Sequence, residues 1–221
     1  MPAPRPPLAV RPLELRDVPT TARVLADAMD VDAAYRYLFP EPSVRRRGLS
    51  ELFGRNLELH LSHRCAYVAL GESGEVAGTV TLRPVGGISI RLSTMIRRGL
   101  LPFALRHGAG AVKRLLWLKD TYDAFEAEIA GHAPHWYVHM MGVKPALQGT
   151  GVGSALLGRV LALTGALTSG HPMVLTTHLP QNVRFYERAG FTTSCERTVE
   201  PPDGEPYRVW GMRREGTSPT G

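Results

Sequence analysis

A chain of 221 residues with 43% hydrophobic and 21% charged residues has the balance of a folded domain, which excludes wholesale disorder. Its 23 glycines and 18 prolines follow no collagen or solenoid period, and two cysteines, Cys65 and Cys195, are too few for a disulfide framework or a four-thiolate zinc site. The formal charge of +6 favours anionic partners without choosing among nucleic acid, lipid headgroups and a phosphorylated cofactor. No apolar run reaches membrane-spanning length, and MPAPRPPLAV lacks a signal core and cleavage site, so the expectation is a cytoplasmic protein without membrane insertion.

Residues 1–7 read as a flexible Pro-rich N-terminus, 8–214 as one domain and 215–221 as a flexible tail. A first strand is expected from Leu8 to Leu15, weakened by its prolines. Asp17 stands where it would cap a helix through about Met29, with Val24, Leu25 and Ala28 in its apolar stripe. Leu49, Leu52, Phe53, Leu57 and Leu61 recur at helical spacing and predict a second helix over Ser43–Leu61. Cys65–Leu70 and Val76–Leu82 read as strands of a hairpin joined by Gly71-Glu72-Ser73-Gly74-Glu75.

Residues 84–134 read as a helical insertion of two or three helices. From Arg91 to Lys119 it carries Arg97, Arg98, Arg106, Lys113 and Arg114 with no acid, and then Asp120, Asp123, Glu126 and Glu128. This pattern fits a membrane-surface helix or, as the preferred alternative, a helix packed on the domain with its arginines outward.

Trp136–Val143 predicts a strand, followed by a Gly-rich turn and a helix with Val152, Leu156, Val160, Leu163 and Leu167 near one face. Met173–Thr177 reads as a strand, Asn182–Ala189 as a short helix stopped by Gly190, and Phe191 onward and Tyr207–Met212 as closing strands. This order points to an α/β mixed sheet flanked by helices. Gly149, Gly151 and Gly153 let a turn gather backbone N–H groups at a helix start, where a phosphate is favoured. No lysine lies between Gly153 and Ser154, and the G-x-G-x-G spacing differs from a dinucleotide fingerprint. Taken alone, the turn is either an anion cradle or an ordinary strand-to-helix connection.

Gln148 through Gly153, preceded by Val143-Lys144-Pro145, resembles the pyrophosphate motif Q/R-x-x-G-x-G/A of the GCN5-related acetyltransferase (GNAT) superfamily, matched at Gln148, Gly151 and Gly153. Asn182 through Phe191 is similar to the superfamily's final helix and turn, in which an Asn and a Tyr approach the coenzyme before a Gly-Phe pair. The resemblance covers roughly residues 8–213 and is specific over 135–191, with the puromycin acetyltransferase type and other actinobacterial antibiotic-resistance-like members most similar. It implies a GNAT-like fold with two splayed central parallel strands, 136–143 and 173–177, and the helical insertion before the coenzyme-binding strand. It further implies acetyl-CoA as cofactor and acetyl transfer to a primary amine of a small molecule, an antibiotic or other metabolite, by direct attack on the thioester.

On that resemblance the pantetheine arm would bond to backbone near Met141 and Val143. The pyrophosphate would meet the backbone of Gln148, Gly149, Thr150, Gly151, Val152, Gly153 and Ser154. Asn182 would bond to the coenzyme arm, and its residue type also suits a helix cap. Tyr186 would protonate the departing sulfur, the alternative being an aromatic anchor beside Phe185 and Phe191. Strand alternation places Tyr137, His139, Met141 and Val143 on one face, and Trp136, Val138 and Met140 on the other. Some arylalkylamine acetyltransferases of the superfamily have a histidine at the point matching His139, which implies a proton relay there; a satisfied buried histidine is the alternative.

His135 would extend that relay, while Tyr137, Glu126 and Glu128, with Asp123 and His132, are candidates for the amine's approach; His178 is a minor candidate. The run Leu175-Thr176-Thr177-His178 lacks the acid many relatives carry near this strand end, which disfavours an acid-based mechanism from it. No metal is expected, because His132, His135 and His139 fall in mixed helical and strand settings that would point them apart. Both cysteines read as packed thiols. The partner expected is a small-molecule amine, with no nucleic acid; a homodimer stays open. Peptide amine acetylation and a non-catalytic acyl-CoA-binding module are the competing functions.

Overall fold

The computed structural model describes residues 8–61, 63–87, 101–131, 133–164 and 169–216. The expectations placed on residues 1–7, Arg91, Arg97, Arg98, His132, Leu167 and 217–221 lie outside these described residues. Strand β1 (Ala9–Pro12) leads through a single 3-10 turn (Leu15–Asp17) to helices α1 (Val18–Met29), α2 (Ala33–Leu38) and α3 (Pro42–Leu61). The hairpin β2 (Ala66–Leu70) and β3 (Val76–Arg83) precedes the long helix α4 (Leu101–Ala130). Then come β4 (Trp136–Val143), α5 (Val152–Thr164), β5 (Met173–Thr177), α6 (Pro180–Arg188), β6 (Thr192–Val199) and β7 (Tyr207–Arg214).

The strands form one seven-stranded mixed sheet in the order β1-β2-β3-β4-β5-β7-β6. Every pairing is antiparallel except β4 with β5. That parallel pair holds only at Trp136 opposite Met173 and Tyr137 opposite Val174. Beyond it, β4 stays paired to β3 as far as Val143, and β5 stays paired to β7 as far as Thr177. The sheet therefore opens between two half-sheets, each satisfied on its outer edge.

The helices α1 to α4 cover one face, over a core containing Leu25, Phe53, Tyr137, Met140 and Val209. Helices α5 and α6 cover the other, over Val80, Val138, Leu156, Leu175 and Met212. Buried residues of α4 recur at Ala111, Leu118, Phe125 and Ile129, the spacing of one helical face. Its two helical segments meet at Gly108, whose φ of 78° breaks the helix. Gly142 lies where α1 crosses β4: a Cβ there would stand 2.9 Å from Leu25 Cδ2 and 3.3 Å from Ala28 Cβ, so a larger residue would require α1 side chains to shift.

Three local expectations are corrected, and one helix was not anticipated. Asp17 makes no cap bond to α1; its carboxylate accepts from Arg11 at 2.6 and 2.8 Å and from the Glu14 N–H. Helix α2 was not visible as a separate element, because six residues are too few to show a period. Helix α6 begins at Pro180, so Asn182 lies in its first turn and is not its cap. Strict alternation along β4 fails because a β-bulge leaves Thr81 opposite Met140 and Leu82 opposite Val138, with His139 the extra residue. Tyr137 and Met140 thus share one core, and Val138 and Met141 the other.

Candidate active site

The opening between β4 and β5 belongs to a cavity of about 890 Å³. One end is lined by Gln148, Gly149, Gly151, Gly153 and Ser154, the middle by Met141, Val143, Asn182 and Tyr186. The other end lies among α2, α3 and α4, where Tyr35, Phe53 and Tyr122 line it.

At the first end, the turn after β4 holds Gly151 at φ 92°, a conformation an L side chain would strain. Gln148 Nε2 donates to Val143 O at 3.2 Å and Thr150 Oγ1 to Leu147 O at 2.7 Å, so both side chains bind the turn itself. Val152 packs into the α5 side of the core, and neither it nor Thr150 lines the cavity. The opening N–H groups of α5 have no carbonyl one turn back to bond to, and the helix dipole adds positive potential. A Cβ on Gly153 would come 3.4 Å from Phe185 and 3.5 Å from Met141 and Val143, filling the narrow floor of the cavity. These features fit a diphosphate at the turn with a slender chain running along β4.

Tyr186 is 9% exposed, and its hydroxyl donates toward Met141 Sδ at 3.8 Å, across the opening. Phe185 and Phe191 hold its ring edge-on, at centroid distances of 4.9 and 5.6 Å. Burial, with a smaller effect of Tyr137, pushes its hydroxyl well above the ordinary tyrosine range, so it stays protonated. Asn182 Nδ2 donates to Thr177 Oγ1 at 3.1 Å, pinning α6 to the end of β5.

The bulge turns His139 toward α3, where its ring stacks on His60 at 5.2 Å. Burial first, then His60 and the Arg83 guanidinium, push His139 down to about 3. His60 is also pushed down, chiefly by burial, and its Nδ1 donates to Asn56 O at 2.8 Å. Tyr137 is buried and its hydroxyl pairs with Thr176 Oγ1 at 3.0 Å, tying β4 to β5 at the base of the opening. Arg83 sits 4.7 Å above the Tyr137 ring and pairs with Glu126.

Glu126 lines the cavity, but its carboxylate is held by Arg83 and by His135 Nε2 at 2.8 Å. His135 therefore buttresses Glu126 and does not itself line the cavity. Glu128 is corrected outright: it points away from the cavity to pair with Arg197 of β6. Asp123 lines the cavity and pairs with Lys119 at 2.6 Å. Arg106 and His107 both reach Glu51 of α3, and Arg114 reaches Asp203, so this part of α4 packs on the domain. Both cysteines are buried, and burial pushes their thiols up.

Sequence reasoning missed a second cluster. His178 joins Asp32 and Tyr122, and Tyr122 joins Tyr207, through bonds that span 146, 56 and 85 residues. Asp32 also caps α2, its Oδ1 accepting from the Ala34 N–H at 3.0 Å, a local signal that sequence reasoning did not use.

The family model described as Acetyltransferase (GNAT) family matches residues 30–191. Among solved structures, a Corynebacterium glutamicum protein described as histone acetyltransferase HPA2 and related acetyltransferase superposes with a TM-score of 0.60 at 22% identity, covering 97% of this chain and 99% of that one. The Drosophila melanogaster polyamine N-acetyltransferase gives 0.61 at 17% identity over 94% and 99% of the two chains. A phosphinothricin acetyltransferase from Sinorhizobium meliloti, in complex with acetyl-CoA, gives 0.54 at 14% identity over 97% and 92%. At such identities these three speak for the shared fold.

Proposed function

This chain belongs to the GNAT acetyltransferase family and is an acetyl-CoA-dependent acyltransferase; we propose that its acceptor is a primary amine on a small molecule. The observation that carries the proposal is the continuity of the cavity from the Gly-rich turn, past Tyr186, to an aromatic chamber among α2, α3 and α4. A chamber walled by Tyr35, Phe53, Tyr122 and Tyr137 suits the apolar body of a small amine. Its carboxylates Asp32, Asp123 and Glu126 are each already engaged by a neighbouring side chain, which disfavours a polycationic acceptor. An amino-bearing antibiotic or other metabolite is the class proposed.

Bound acetyl-CoA supplies an activated acetyl carbonyl and a thiolate leaving group. The backbone N–H groups at the start of α5 would hold the diphosphate, and the inner edge of β4 beyond its pairing with β5 would hold the arm. Tyr186, kept protonated by burial, donates its proton on the coenzyme side of the opening. His139, kept neutral, offers a ring nitrogen that orients the amine; with no carboxylate bonded to it in the described structure, it does not hold an added proton. Residues such as Phe185 and Tyr137 exclude water around the reacting atoms.

The test is thiol release from acetyl-CoA with 2-phenylethylamine, spermidine and a lysine-containing peptide. Turnover is expected to be greatest with 2-phenylethylamine. Acetylation of the peptide alone would replace the small-molecule reading. Tight acetyl-CoA binding without turnover would favour a regulatory module.

A further inference from the structure

Asp32, His178, Tyr122 and Tyr207 come from four places: the approach to α2, the loop after β5, α4 and β7. His178 sets Nδ1 2.6 Å from Asp32 Oδ2 and Nε2 2.8 Å from the Tyr122 hydroxyl, which lies 3.0 Å from that of Tyr207. The polarity of this chain follows from its carboxylate end. A carboxylate only accepts, so Nδ1 carries the proton of the neutral ring and Nε2 is the acceptor. Tyr122 then donates to Nε2, and Tyr207 donates to Tyr122. One lone pair on Tyr122 Oη remains for a substrate N–H. Asp32, His178 and Tyr122 all line the acceptor end of the cavity.

We infer that Tyr122 takes the proton of the acceptor ammonium and passes its own to His178, which Asp32 holds in position. The inference rests on the proposed amine acetylation. The ammonium N–H bond breaks toward Tyr122 Oη while the Tyr122 O–H proton moves to His178 Nε2. The amine keeps the electron pair, and the positive charge passes from substrate to an imidazolium beside Asp32. Burial, Tyr207, Asp32 and Tyr35 hold the Tyr122 hydroxyl well above its ordinary range, so a concerted transfer avoids a free phenolate. The hydroxyl, imidazole and carboxylate play the parts they have in a Ser-His-Asp relay, with an amine proton as cargo.

The contrast with His139 decides between the two histidines. His139 faces His60 and Arg83, which oppose a positive ring. The titratable groups bonded to His178 are Asp32 from the approach to α2 and Tyr122 from α4; Tyr207 of β7 stands 5.7 Å from its ring, and Tyr35 of α2 acts on Tyr122. A carboxylate at 2.6 Å stabilises the imidazolium that the transfer creates.

Two measurements test the relay. Nitrogen-15 spectra of the wild-type protein are expected to show the neutral His178 ring as the Nδ1–H tautomer. An Nε2–H tautomer would overturn the relay without any variant or turnover. With acetyl-CoA and 2-phenylethylamine at pH 7, Tyr122→Phe and His178→Gln are each expected to lower kcat/KM by about 10²-fold or more, within the range for general bases. The deficit should shrink as pH rises and free amine accumulates, with acetyl-CoA affinity unchanged. If wild type acetylates the amine and both variants keep its rate and pH profile, the relay is wrong and the proposed function survives. If wild type acetylates no amine in the panel, both fall.

Discussion

Replacing His139 with Gln should remove a specific part of the protein's acid lability. In the unfolded chain this imidazole titrates near 6.5, whereas in the fold it is pushed down to about 3. Between those values the unfolded chain binds a proton that the folded chain refuses. Stability is therefore fully present above about pH 6.5 and is lost as pH falls toward 3. At pH 5 the window has been entered by about 1.5 pH units, which at 1.36 kcal/mol per unit is about 2 kcal/mol. His60 pulls in the same direction and remains in the variant, so the difference between proteins isolates His139. Urea unfolding of wild type and His139→Gln at pH 7.5 and pH 5, followed by circular dichroism, measures it. Wild type should lose about 2 kcal/mol more than the variant over that interval. Equal losses would show that the buried ring accepts its proton in the fold, and would refute the reasoning.

Tyr186→Phe keeps the ring between Phe185 and Phe191, so melting temperature and acetyl-CoA affinity should hold while kcat falls by about 10²-fold or more; a rate unchanged from wild type in stopped-flow would remove the proton-donor role. Gly153→Val should fold, because a Cβ there meets only ordinary contacts at 3.4–3.5 Å, yet weaken acetyl-CoA binding in calorimetry by filling the floor of the cavity. Glu126→Gln should cost about 2 kcal/mol in denaturant unfolding, since the Arg83 guanidinium loses its charged partner over Tyr137. Glu128→Gln, at an exposed pair with Arg197, should cost under about 1 kcal/mol and leave KM for the amine unchanged.

Local chemistry carried a large part of the structure into the sequence. Helices α1 and α3 were legible because Leu25, Leu49, Phe53 and Leu57 repeat at the helical period, and each ends up buried. The hairpin was legible from its Gly-containing turn between two β-rich runs, and the Gly-rich connection after β4 from the positive φ that Gly149 and Gly151 adopt. Resemblance in two short motifs added the pairing of β4 with β5, the opening between them and the coenzyme.

What the sequence could not determine depends on groups brought together from afar. The bulge that makes His139 an extra residue exists only because β3 pairs with β4 across a register shift, and it puts Tyr137 with Met140 in one core and Val138 with Met141 in the other. Glu126 and Glu128 look equivalent in the sequence, two residues apart on one helix. A helix turns by about 100° per residue, so two steps place them some 200° apart, one facing Arg83 and the cavity and the other Arg197. The Asp32–His178–Tyr122–Tyr207 chain has no local signature, because its links join residues 56 to 146 apart. Periodicity and turn chemistry act over a few residues, whereas hydrogen-bond polarity and burial arise only when distant elements pack. The sequence by itself therefore determined most of the elements, and the tertiary structure alone decided which side chains meet in the chamber among α2, α3 and α4.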